Sequence, residues 1–154
     1  MAYEVHKQAM AVICTRIKAL SLPGFSREQI VVRRWPWDTK ADGTVNYHHG
    51  ITIHPEREIE APGTNERDDI GYGIGVTMIV PADHASTANV DKVPMARREI
   101  RAEFHHQKLT GVSLNDSIHL NCTVEHNAIN TPRDGHRYEI SSQIIRFWMR
   151  EARG

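Results

Sequence analysis

The sequence predicts an α+β protein: a mainly antiparallel sheet of about five strands carrying two amphipathic helices, with long loop arms. Three observations lead there. Between Ile70 and Val80 the apolar residues recur at every second position, so Ile70, Tyr72, Ile74, Val76, Met78 and Val80 share one face of an extended chain. Gly71, Gly73, Gly75 and Thr77 share the other, and three glycines would each cost a helix ~1 kcal/mol relative to alanine. Near residues 3–20, and again after Asp91, the apolar spacing changes to three and four, which is helical. The remaining short β-branched runs are separated by Gly, Pro and Asp-Gly signals, as expected of strands joined by turns.

Taken in order, Val5, Ala9, Val12, Ile13, Ile17 and Leu20 give the first helix its buried stripe, and Pro23-Gly24 stops it. Gln29 to Trp35 reads as a strand cut off by Pro36. Residues 36–50 are polar, with Asp42-Gly43 as a hairpin tip between two extended arms. Gly50 to His54 alternates and ends at Pro55, a second strand expected to run antiparallel to the first. Residues 55–69, charged and interrupted by Pro62-Gly63, read as an exposed arm. Both arms exceed simple connections, and loops of that length are usually functional or disordered.

The glycine face of the central run implies close approach of another backbone, with a helix or a second chain expected to lie tightly over it. Beyond the run, Pro81 to Asn89 is a small-residue loop. The second helix is expected to start near Asp91 as N-cap, with Pro94 in its first turn, Val93, Ala96, Ile100 and Phe104 as its stripe, and Gly111 beyond its end. Ile118, Leu120, Cys122 and Val124 alternate as a fourth strand, and Asn127 to Gly135 is a turn. In the last strand, about 136–149, Tyr138 and Ile140 have one parity and Ile145, Phe147 and Met149 the other, so a bulge near Ser141-Ser142 is expected to swap faces.

The chain has 154 residues, which suits a single domain over 1–154. Nineteen basic and nineteen acidic residues leave no net charge, which argues against a strongly basic nucleic-acid coat. Cys14 and Cys122 sit in apolar periodic segments and are expected to be reduced core thiols. No run approaches the ~20 apolar residues of a membrane span, so a soluble protein made in a reducing cytoplasm is expected.

No metal-ligand spacing, nucleophile elbow, Walker loop or dinucleotide fingerprint is present, and no catalytic residue, cofactor or metal is assigned. His48, His49 and His54 read as solvated loop histidines. Glu66, Asp68 and Asp69 could in principle hold Mg²⁺ for nuclease chemistry, which makes a metal-dependent nuclease the alternative of a different class. Arg97, Arg101, His105 and Lys108 follow one another at helical spacing, with Arg98 beside them. They form a candidate basic face for phosphate contacts, with Glu99 and Glu103 placed to pair on the same surface. Trp35-Pro36-Trp37 at a strand end cannot easily bury both indoles in one core, so contact with another chain is expected.

With these elements in place, the chain resembles the tail terminator proteins of long-tailed bacteriophages, small subunits that form a ring at the head-proximal end of the tail tube. The stretches that carry the resemblance are Arg97-Arg98-Glu99-Ile100-Arg101-Ala102-Glu103-Phe104 and Tyr138-Glu139-Ile140-Ser141-Ser142-Gln143-Ile144-Ile145-Arg146-Phe147, within a matching order of elements. The resemblance implies a structural virion protein at the tail–neck junction and no enzyme. It implies a homomeric ring, sixfold in that family, contacting the tail-tube protein, neck proteins and, in a contractile tail, the sheath. Genomic DNA would pass through the ring without specific binding. Arg97, Arg101, His105 and Lys108 would then be candidates to face the lumen, and Trp35, Trp37, His48, His49, Arg57 and Arg67 candidates for subunit or partner contacts. Another neck subunit, a head–tail connector or adaptor, is the close alternative.

Overall fold

Two fifteen-residue strands paired along their whole length form the spine of the fold. In the computed structural model, which describes residues 2–63, 67–81, 88–112, 118–126, 131–133 and 138–152, they are β6 (Arg67–Pro81) and β9 (Tyr138–Ala152). The other elements are helices α1 (Ala2–Ala19) and α2 (Ala88–Phe104) and strands β1 (Ile30–Val32), β2 (Trp37–Thr39), β3 (Val45–Tyr47), β4 (Gly50–Pro55), β5 (Ile59–Pro62), β7 (Ile118–His126) and β8 (Thr131–Arg133). The seven-stranded main sheet has the order β1-β4-β6-β9-β7, with β5 also on β6 and β8 also on β9, while β2 and β3 form a separate hairpin. The class is the expected one, a mainly antiparallel sheet with two helices, built from more strands than expected.

Both helices lie on one face of the sheet. Val5, Ala9, Ile13 and Ile17 of α1 and Val93, Ala96, Ile100 and Phe104 of α2 are fully buried. They cover the apolar parity of β6, where Tyr72, Ile74, Val76 and Met78 are equally buried, beside Ile145, Phe147 and Met149 of β9. Burying each of the Val, Ile, Phe and Met side chains among them contributes roughly 1.5–3 kcal/mol. Arg16 ties the helices together: it pairs with Glu103 at 2.8 Å and lies over the Phe104 ring at 4.9 Å.

The predicted bulge at Ser141-Ser142 is absent, because the β6–β9 register runs unbroken from Arg67↔Ala152 to Pro81↔Tyr138. The change of parity has another cause. Ser141 and Gln143 stay on the helix face and are buried there because Arg97 of α2 is buried with them. Its guanidinium donates to Ser141 Oγ at 2.6 Å and to the Ser142 carbonyl at 2.8 Å, and Gln143 Nε2 donates to the Arg97 carbonyl at 3.0 Å. The slip falls in β7 instead, where Leu120 and Asn121 together oppose Trp148. Ile118 and Leu120 therefore do not share the helix face with Cys122 and Val124.

The glycine face is not under a helix. Side chains from neighbouring strands lie flat across it: Trp148 over Gly71, Arg146 over Gly73 and the His54 ring over Gly75. A side chain at any of these positions would occupy the space that these groups fill, so the glycines make room for lateral packing within the sheet. Farther along this face the rings of Tyr47 and His49 stand 4.6 and 5.2 Å from Tyr138, which seats the β2–β3 hairpin there.

β1 and β4 are parallel, not antiparallel as expected, with Ile30↔Ile51 and Val32↔Ile53 in register. Parallel neighbours need a long crossover, and residues 33–49 supply one that contains the hairpin. The hairpin tip is where the sequence places it: Gly43 has φ 87°, and Lys40 N–H donates to the Thr44 carbonyl at 2.8 Å. The second arm, 55–69, is largely strand: Pro55 ends β4, Ile59–Pro62 form β5 and Arg67–Asp69 begin β6. β5 continues β4 along β6 after a bulge in which Arg57 and Glu58 oppose Tyr72 alone. Helix α2 begins at Ala88, so Asp91 is not its cap and Pro94 lies in its interior; it ends at Phe104, well before Gly111. Of the loop expected over Pro81 to Asn89, Pro81 instead ends β6 and Ala88 and Asn89 open α2, and within the turn expected over 127–135, Thr131–Arg133 form β8; the remaining residues of both lie outside the described residues, as does Glu66.

Candidate interaction surface

β1 is an end strand of the sheet, and the chain leaves it through Arg33, Arg34 and Trp35 before the hairpin begins. Exposed large apolar side chains concentrate here: Val32 is 44% exposed, Trp35 61% and Trp37 39%, while Pro36 between the indoles is buried. Arg34 lies over the Trp35 ring at 5.8 Å, and Trp37 meets Tyr47 edge-on at 6.2 Å. Beside the strand is a cleft of about 550 Å³ lined by Met10 of α1, Val32, Arg33, Arg34 and Pro55. Arg33 makes a loose pair with Asp38 at 3.9 Å, both side chains well exposed, an arrangement contributing at most about 1 kcal/mol.

The other predicted contact residues disperse. His48 is half-buried and its Nε2–H donates to the Gln29 carbonyl at 3.1 Å, whereas His49 is exposed beside Tyr138. Arg57 is exposed at the β4–β5 bulge, its carbonyl accepting from Arg146 at 2.9 Å. Arg67 starts β6 at the far end of the sheet.

The predicted basic face does not hold as one stripe. Arg97 is turned into the core, 4% exposed, and burial lowers its pKa. His105 and Lys108 lie beyond the end of α2; His105 Nδ1 accepts the Val124 N–H at 3.0 Å, and Lys108 bridges to Asn121. Lys108 is exposed but off the helix; on α2 itself Arg98 and Arg101 remain outside, and with Ala102 and His105 they line a shallow hollow of about 310 Å³.

His54 is not a solvated loop histidine. It is 7% exposed, hydrogen-bonded through Nε2 to Thr77 Oγ1 at 2.8 Å, with Nδ1 3.5 Å from a Glu56 carboxylate oxygen. Desolvation is the largest influence and holds its pKa below the usual imidazole range, against the upward pull of Glu56. Its signal in the sequence was its parity with Thr52, opposite Ile51 and Ile53. Of the acidic cluster, Asp69 is held by Arg150 through bonds of 2.7 and 3.1 Å, and that hydrogen bonding keeps its carboxyl below the usual carboxylate range. Among the described residues no three His, Cys, Asp or Glu side chains stand close enough to hold a metal ion. Cys14 and Cys122 are buried free thiols; desolvation raises both pKa values, that of Cys122 to about 12.

No protein-family model matches the chain, and no curated protein matches it.

Proposed function

We propose that this chain is a structural subunit of the head-to-tail junction of a long-tailed bacteriophage. In this reading it forms a ring that caps the tail tube, ends its polymerisation and joins it to the neck. Its place is the virion, after synthesis in the host cytoplasm. Its partners are further copies of itself, the tail-tube protein, neck proteins and, in a contractile tail, the sheath; DNA passes through without specific binding. The sequence resemblance prompts the reading, and one structural observation supports it most. Exposed large apolar side chains stand at both end strands of the sheet: Val32, Trp35 and Trp37 on and just after β1, and Ile118 on β7. A subunit that closes a ring by head-to-tail contacts needs two different patches on opposite flanks. Arg101, with Arg98 in place of the buried Arg97, is the basic surface left to face a lumen.

The test is the mass of the purified protein, alone and with tail-tube subunits, by native mass spectrometry or cryo-electron microscopy. Closed rings, dispersed by Trp35→Ala in a variant that still melts like the parent, are expected. A strict monomer under tail-assembly conditions overturns the reading. Binding to a portal-side connector in preference to the tube would instead favour another neck subunit.

A further inference from the structure

We propose that the open edge of β1 and the cleft beside it take an extended acidic segment of another polypeptide, added as a strand along Val32 with its carboxylates on Arg33 and Arg34. The proposal rests on the assembly reading above only in making that polypeptide a neighbour in the assembly.

The backbone geometry comes first. Arg33 N–H donates to the Ile53 carbonyl at 3.0 Å, and β1 pairs with β4 in parallel register. In such a ladder successive residues alternate sides, so Val31 and Arg33 address β4 while Val32 directs its N–H and C=O groups away from the sheet; the outward Ile30 carbonyl accepts from Cys14 Sγ of α1 at 3.8 Å. Such an edge is a template for a further strand, and because β1 is only three residues long the side chains beside it must supply most of the recognition. Here the strand carries Ile30, Val31 and Val32, with proline arriving only at Pro36.

The side chains then set the chemistry of the segment. Met10, Val32 and Pro55 give the cleft an apolar floor, and Arg33 and Arg34 give it positive walls. Among the described residues the only carboxylate against these arginines is Asp38, at 3.9 Å from Arg33, and Arg34 has the Trp35 ring in place of an anion. An alternating acidic and apolar strand would seat apolar groups on Val32 and Met10 and bring charge to both guanidinium groups, while a basic strand would be repelled. Trp35, stacked under Arg34 and 61% exposed, lies where such a segment would cover it.

The experiment measures fluorescence anisotropy of a short labelled peptide alternating glutamate with valine, against the same peptide with lysine for glutamate. The acidic peptide should bind about tenfold tighter or more, and weaken as salt is raised. Its binding should be lost in Arg33→Glu/Arg34→Glu and reduced in Arg33→Gln/Arg34→Gln, the second pair keeping the test valid if charge reversal disturbs folding. Tryptophan emission should shift to the blue on binding, and Trp35→Phe should remove the shift. Equal binding of the lysine peptide, unchanged binding by the glutamine pair, or no binding of either peptide overturns the proposal. The mass of the protein alone separates this from the assembly reading. Where rings form, the peptide is added to subunits dissociated by dilution: subunits that ignore it sink the edge chemistry and leave the ring, whereas a strict monomer that binds it upholds the edge chemistry and sinks the ring.

Discussion

Replacing Gly73 by alanine isolates the role of the glycine face. Gly73 is not among the residues with positive φ, so alanine meets no backbone penalty there. Its added Cβ would stand 2.7 Å from the Arg57 carbonyl oxygen, 3.0 Å from Arg146 Nη1 and 3.0 Å from Glu56 Cβ. The carbonyl is backbone at a strand bulge, and it accepts the Arg146 hydrogen bond at 2.9 Å; Arg146 itself is 5% exposed and anchored by Glu125 at 2.7 Å. Pushing the carbonyl aside strains that buried charged hydrogen bond, typically 1.5–3 kcal/mol, and overpacking adds roughly 1–3 kcal/mol. Since the bulge can yield in part, about 3 kcal/mol is expected, a fall in Tm on the order of 6–12 °C. Urea denaturation of Gly73→Ala, Arg146→Met and the double variant reads both the cost and its origin. Coupling of about 1 kcal/mol or more between the two sites is expected, because each disturbs the same hydrogen bond. A cost below about 1 kcal/mol, or strict additivity, would refute the reasoning. Gly43→Ala is the contrasting control: it has open space but φ 87°, so it should cost about 1–2 kcal/mol through backbone strain alone.

Arg97→Ala should cost about 2–4 kcal/mol, since it orphans Ser141 and the Ser142 carbonyl and leaves a cavity, whereas exposed Arg101→Ala should stay within about 0.5 kcal/mol; chemical denaturation of both checks the split. His54 should make stability pH-dependent. Its folded pKa lies below the ordinary 6.5, so below pH 6.5 the unfolded chain takes up a proton that the folded chain refuses. Stability is then fully present above 6.5 and lost as pH falls toward the folded value, and His54→Gln should flatten that part of a urea-midpoint profile between pH 7.5 and 5. Cys14 and Cys122, buried and with raised pKa values, should resist an aromatic disulfide reagent in the native protein and react promptly in urea; fast native labelling of either contradicts the packing.

Most of the elements were legible because periodicity is a local property. The stripe of α1, the alternation of β6 and the Asp42-Gly43 turn each follow from which side chains a regular backbone brings to one face, and the structure keeps them. The exposure of the tryptophans was legible for a similar reason: two indoles around a proline cannot easily both enter one core, and Trp35 and Trp37 stay outside. The basic face of α2 was misread because arginine was taken to be outside by default. Arg97 is inside because Ser141 and Gln143, about forty-five residues away in the chain, offer it the hydrogen bonds that burial demands.

The sequence by itself determined the α+β class, the two helical stripes, the central strand and the exposure of the Trp35 and Trp37 indoles, since each is set by neighbours within a few residues. Only the tertiary structure decided which strands lie side by side, why β1 runs parallel to β4, and what fills the space over Gly71, Gly73 and Gly75. Those outcomes depend on pairings between distant segments: the crossover of 33–49, the bulge at Arg57-Glu58, and Trp148, Arg146 and His54 brought across from neighbouring strands. A glycine in a strand announces that something must come close. The identity of what comes close is fixed by register, and register is a property of the assembled sheet.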